Sequence, residues 1–145
     1  MEVSDYIDKL DLLIRNYDNK IESIVYQNKE QIIDLNRENQ LFNMGIDSNG
    51  KNLLEYSQAT ISIKIQKKQP IDRTTLFDTG EFYKGFFIKF NPSNYTLEIW
   101  SSDKKTTKLI EKYGKDIFGL IPKNIEYLDE KIIKKHLDEW VLRYL

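Results

Sequence analysis

Apolar residues recur at three- and four-residue steps along the start of the chain. Val3, Tyr6, Ile7, Leu10, Leu13, Ile14 and Tyr17 would form one stripe on a helix of 3.6 residues per turn. Ser4 or Asp5 suits its N-cap. Asn16, Asp18 and Asn19 weaken the middle, and a bend is expected near Asp18. The period resumes at Ile21, Ile24, Val25, Asn28, Ile32 and Leu35, so residues 3–37 read as one long helix or two in series. Such an arm packs either on its own core or on a neighbouring subunit.

The pattern then changes character. Gly45, Asp47, Ser48, Asn49 and Gly50 mark a loop over 43–52. Asp47, Asn49 and Lys51 begin like a calcium loop, but the glycine falls early and no glutamate closes it at the required distance. Residues 57–67 fit two readings. Ile61, Ile63 and Ile65 alternate with polar residues as in a strand, whereas Tyr56, Thr60 and Lys64 at four-residue spacing, with Ser57 as a possible cap, suit a short helix. Phe86 to Phe90 and Tyr95 to Trp100 are aromatic-rich and flank Asn91-Pro92-Ser93-Asn94, which predicts a β-hairpin. Phe86, Ile88 and Phe90 are assigned to one face, and Tyr95, Leu97 and Ile99 to another. Two strands alone are marginal, so the hairpin needs a helix or a partner against it. Asp103 suits the cap of a short helix ending at Tyr113-Gly114. Ile117 to Pro122 reads as an apolar loop or edge strand, and a last helix is expected from about Asp129 to Arg143.

These elements predict an α+β fold: a long N-terminal helical arm, a small antiparallel sheet with a central β-hairpin, and a C-terminal helix. With 145 residues, no repeat and no linker, residues 1–145 read as a single domain, with an arm at 1–37 and an α+β core at 41–145. Apolar residues at 40% and charged residues at 31% exclude a disordered chain. A net charge of −1 supplies no overall field toward nucleic acid, and Asp103, Glu111 and Asp116 interleave the Lys104, Lys105, Lys108, Lys112 and Lys115 cluster. No specific nucleic-acid binding is predicted. The absence of cysteine excludes disulfide and thiolate chemistry. No leader-like or membrane-length apolar run occurs, and a soluble protein without membrane contact is expected.

Candidate chemistry is sparse. His136 is the single histidine, and it sits among Lys134, Lys135 and Asp138 without metal-ligand spacing. Nucleotide-binding glycine loops and nucleophile elbows are absent, so no cofactor or metal is predicted. Leu76-Phe77-Asp78-Thr79-Gly80 has the apolar-apolar-Asp-Thr-Gly form of aspartic proteases, where two carboxylates share a proton. A homodimer could supply the pair, and Ile117-Phe118-Gly119 could mimic the supporting strand. Glu81 after the motif and the helical N-terminus argue against that reading. The same tripeptide is a good turn, with Gly80 at positive φ and Asp78 or Thr79 capping the next turn.

Taken in order, the motifs resemble the tail-completion and virion-morphogenesis proteins of tailed phages. The ordered features are Tyr56-Ser57…Thr60…Lys64, then Leu76-x-Asp78-Thr79-Gly80-x-Phe82-x-x-Gly85, the hairpin, Tyr113-Gly114, Phe118-Gly119, Ile121-Pro122-Lys123 and a closing helix. Gly85 stands where that family usually has serine, and Asn124 stands near its arginine position. The resemblance spans about Leu41 to Leu145. It implies a non-catalytic structural subunit of the virion, assembled in the bacterial host cytoplasm. There it would form a homo-oligomeric ring in the head–tail connector, neck or tail-completion layer, touching portal, neck or tail proteins, with DNA able to pass through. It also favours helix over strand for 57–67. Asp78, Thr79, Gly80, Phe82, Tyr95, Trp100, Tyr113, Phe118, Gly119 and Pro122 are the expected fold-defining or interface residues. Alternatives are a dimeric aspartic protease using Asp78, or a small host adaptor module.

Overall fold

The N-terminal stripe forms α1 (Val3–Gln27), with Leu13, Ile21, Ile24 and Val25 buried; the computed structural model describes residues 2–144. The expected bend near Asp18 does not occur. Asn16 keeps its amide within the helix by donating to the Leu12 carbonyl at 2.8 Å, and Asp18 is engaged by the Tyr95 hydroxyl. The break falls at Asn28 instead. Its side-chain amide donates back to the Ile24 carbonyl at 2.7 Å, and its N–H is shared between the Ile24 and Val25 carbonyls. Such back-bonding competes with the regular ladder. α2 (Lys29–Asp34) follows and widens into a π-helical stretch, Leu35–Met44, which Gly45 ends at φ 62°. The helical region therefore runs past the expected residue 37.

Ser57 decides the ambiguous segment. Its hydroxyl accepts from the Thr60 N–H at 3.2 Å and starts α3 (Gln58–Gln66). The alternating isoleucines do not make a strand face: Ile63 and Ile65 are exposed, while Lys64 is the buried residue of this helix. α4 (Glu81–Lys84) then leads into the hairpin, β1 (Phe86–Asn91) and β2 (Thr96–Ser101). Asn91 and Asn94 carbonyl oxygens accept backbone N–H bonds from Ser93 and Thr96 across the turn. The register places Phe90 opposite Leu97 and Ile88 opposite Ile99. Leu97 and Ile99 thus share the inner face with Phe86, Ile88 and Phe90, rather than occupying another. Tyr95 lies in the turn at φ 54°.

α5 (Thr106–Tyr113) has Lys105 at its N-cap and no side-chain cap. The expected cap Asp103 instead shapes the turn before the helix, its carboxylate accepting from the Lys105 N–H at 3.0 Å and its carbonyl from the Thr106 N–H at 3.1 Å. A 3₁₀ turn, Lys115–Ile117, and an extended loop follow, with no edge strand. The closing helix begins at Pro122, not Asp129. It comprises α6 (Pro122–Tyr127), a π-helical stretch Leu128–Lys134, and α7 (Lys135–Tyr144). Proline at the first helical position has its φ preset and no N–H to leave unpaired. The first turns were hidden in the sequence because Asn124 points inward and Ile125 and Tyr127 outward, the reverse of an amphipathic pattern.

This helix runs antiparallel to α1. Asn124 meets residues 35–40, Tyr127 meets Gln31, and Trp140 and Tyr144 meet Leu12 to Ser23. Between helices and hairpin lies the core of Ile24, Val25, Ile32, Leu41, Phe82, Phe86, Ile88, Ile99, Ile117 and Ile132. Each such side chain contributes about 1.5–3 kcal/mol through removal from water. Truncating fully buried Ile32 to Ala would cost about 2–5 kcal/mol. The arrangement is α+β, as expected.

Candidate functional site

The Asp78-Thr79-Gly80 turn is built on a strained, well-tethered segment. Leu76 adopts φ 62°, disfavoured for a residue with a Cβ. Thr75, fully buried beside it, holds the strain. Its N–H donates to the Tyr56 hydroxyl at 2.9 Å, its hydroxyl accepts from the Phe77 N–H at 3.1 Å, and its carbonyl accepts from the Tyr83 hydroxyl. Burial pushes the Tyr83 hydroxyl well above its ordinary pKa, so it stays a donor. Gly80, at φ 92°, opens α4, and the Thr79 hydroxyl accepts weakly from Glu81 N–H at 3.4 Å.

Asp78 caps nothing. Its carboxylate faces two ammonium groups, Lys67 in close contact and Lys105 at 3.5 Å. The hydrogen bond from Lys67 holds its carboxyl below the usual range, with Lys105 adding to the effect. Lys64, 6% exposed, lies over the Tyr56 ring and donates to the Phe77 carbonyl. These groups line a groove of about 200 Å³ between α3 and α5, floored by Leu76, Phe77, Phe82, Leu109 and Tyr113. Asp78, Thr79, Gly80, Phe82 and Tyr113 therefore come together.

A second group meets the first through Phe82. Its ring lies 5.1 Å from Phe86 and 5.9 Å from Phe118, and Trp100 stacks on Phe118 at 4.8 Å. Gly119, at φ 123°, follows Phe118 and packs against Ser48. Gly85 closes the junction: a Cβ there would meet the Ser101 Oγ at 2.6 Å and the Asp103 nitrogen at 2.9 Å. Ser101 and Asp103 thus occupy the space a serine at 85 would need. Tyr95 stands apart, at the hairpin tip beside α1.

Three buried amides missed in the sequence hold the Phe118–Pro122 loop. Asn36 donates to the Ile117 carbonyl at 2.9 Å and accepts from the Gly119 N–H at 3.0 Å. Gln40 donates to the Gly119 carbonyl at 3.0 Å and accepts from the Ile121 N–H at 2.9 Å. Asn124 donates to Gln40 at 2.9 Å and to Asn39 at 3.0 Å. One helix face thereby pairs with an irregular loop as a strand would. The clue was spacing: Ile32, Asn36 and Gln40 fall at four-residue steps on the apolar face.

No protein-family profile, curated protein or solved structure matches this chain.

The groups facing Asp78 are ammoniums, and among the described residues no cluster of three or more His, Cys, Asp or Glu is placed to hold a metal ion. Asp47 spends one carboxylate oxygen on the N–H groups of Asn49 and Lys51. His136 Nδ1 lies 2.7 Å from the Ile132 carbonyl. No described helix is long and apolar enough to cross a membrane. Among the exposed large apolar residues, two groups stand on helices. Val3, Tyr6, Ile7, Ile14 and Tyr17 lie exposed on α1, and Ile63 and Ile65 lie exposed on α3.

Proposed function

We propose that this chain is a structural subunit of a tailed-phage virion, assembling as a homo-oligomeric ring in the head–tail connector, neck or tail-completion layer. The observation that carries the reading is the apolar stripe of α1. Over Ile21, Ile24 and Val25 it is buried in the domain, and on the same face Val3, Ile7, Ile14 and Tyr17 lie open to water. Contiguous exposed apolar surface of this kind marks interaction sites. The collinear motifs from Tyr56 to Pro122 support the same reading, because the groove, hairpin and loop they form are one packed unit around Phe82 and Phe118. Portal, neck or tail proteins would be the further partners.

A catalytic role for Asp78 has less support. An aspartic protease needs one carboxyl kept protonated by a second carboxylate. Here two lysines favour the ionised form.

Native mass spectrometry with negative-stain imaging tests the proposal. Rings of many identical copies are expected, alone or on addition of a portal ring. A chain that stays monomeric at every concentration and ignores a portal ring overturns it. Asp78→Asn should leave assembly intact, and loss of a peptide-cleaving activity in that variant would restore the protease.

A further inference from the structure

The start of α1 cannot be satisfied by its own molecule. α1 is unbroken from Val3 to Gln27 and anchored by Ile21, Ile24 and Val25, so its first turns cannot fold back. The closing helix covers the Leu13 region with Trp140 and Tyr144, leaving Val3, Tyr6 and Ile7 beyond that contact. Over residues 2–14 four carboxylates, Glu2, Asp5, Asp8 and Asp11, stand against the single Lys9. The projecting end is thus acidic and apolar together.

The groove between α3 and α5 has the opposite character. Lys64 and Lys105 line it together with Asp78, whose carboxylate Lys67 also meets, over an apolar floor. Its volume of about 200 Å³ is below the ordinary range for small-molecule sites, and suits one or two inserted side chains better than a free ligand.

We propose that the projecting start of α1 in one copy docks into the α3–α5 groove of a second copy, with Ile7 in the groove and Asp8 and Asp11, which flank Ile7 on the helix, against its lysines. The inference deepens the ring reading and rests on it. Donor and acceptor surfaces are different patches of the same chain, so the contact is heterologous. Repeated from copy to copy, it closes into a ring if the rotation allows. Opposed charge also selects register and speeds association.

The test mixes isotopically labelled and unlabelled full-length protein and applies a zero-length carbodiimide cross-linker. Links between Asp8 or Asp11 of one isotope and Lys67 or Lys105 of the other are expected. Two charge-reversed proteins complete it. D8K/D11K reverses the arm, and K67E/D78K/K105E reverses the groove while keeping its internal ion pairs. Each alone should weaken assembly by about tenfold or more, and a chain carrying both sets should recover it. Oligomers whose strength is unchanged by either reversal, or whose arm links elsewhere, overturn the docking and leave the ring reading standing. Absence of any oligomer, with or without a portal ring, overturns the ring reading itself.

Discussion

Replacing Asn36 with Ala removes two of the hydrogen bonds that fix the loop after α5, those to Ile117 and Gly119. The side chain is fully buried, and its loss leaves the Ile117 carbonyl and the Gly119 N–H without partners. Each unpaired buried group costs about 1–3 kcal/mol, so Asn36→Ala should lose about 2–5 kcal/mol. That is a large part of the roughly 5–15 kcal/mol that holds a domain of this kind together. Asn36→Leu separates hydrogen bonding from packing: it fills the space but leaves both backbone groups unpaired, so it should remain well below the parent. Asn36→Asp keeps an acceptor for Gly119 but buries a carboxylate. Its folded pKa should lie above the unfolded value, so this variant should lose further stability as pH rises above about 4 and regain it on acidification. Urea denaturation followed by tryptophan emission is the assay. Trp100 stacks on Phe118 at 4.8 Å, so it reports on the loop directly. A midpoint shift worth under about 0.5 kcal/mol for Asn36→Ala, with Trp100 emission unchanged, would refute the assignment of this network as the loop's main tether.

Gly85→Ser should destabilise by about 1–3 kcal/mol in thermal melts, because its Cβ would press on the Ser101 hydroxyl and the Asp103 nitrogen. A neutral result would mean that the β2–α5 corner shifts freely. Asp78→Asn should cost no more than about 1 kcal/mol near neutrality, as the ion pairs are half-exposed. The carboxyl pKa is lowered by Lys67, so the stabilisation is present above the unfolded carboxyl value and disappears as pH falls through the folded one. Melting curves of parent and variant should therefore converge in acid; curves that diverge there would contradict the pairing. Tyr26→Phe leaves the Phe90 N–H, bonded to the Tyr26 hydroxyl at 3.1 Å, without that partner. A loss of about 0.5–1.5 kcal/mol is expected, with faster amide exchange at Phe90 as the local readout.

Much of the architecture was legible because it rests on short-range chemistry. The hairpin followed from two aromatic strands around Asn91-Pro92-Ser93-Asn94, and α5 ends at Gly114 as expected, although Asp103 makes the turn before it rather than its cap. Residues 57–67 stayed open between helix and strand in the sequence pattern, and the bond from the Thr60 N–H to the Ser57 hydroxyl in the folded chain decided for helix. The misplaced helix ends share one cause. At Asn28, Asn36, Gln40 and Asn124 an amide side chain faces inward and finds its partner far along the chain or in the backbone itself. Polarity alone then reads as the end of a stripe, and helices appear to stop at 37 or start at 129 when they do neither. The turn at Asp78-Thr79-Gly80 was legible as a turn, but its lysines were not, since Lys67 and Lys105 lie 11 and 27 residues away.

Periodicity, turn residues and caps settled from the chain alone that this is a mixed α and β domain with a helical arm, because those preferences act between neighbours within a few residues. Only the folded molecule decided which half of the α1 stripe is covered and which is bare, and that Lys64 points inward while Ile63 and Ile65 face water. Those choices depend on which distant elements pack on each surface, and no local pattern encodes that.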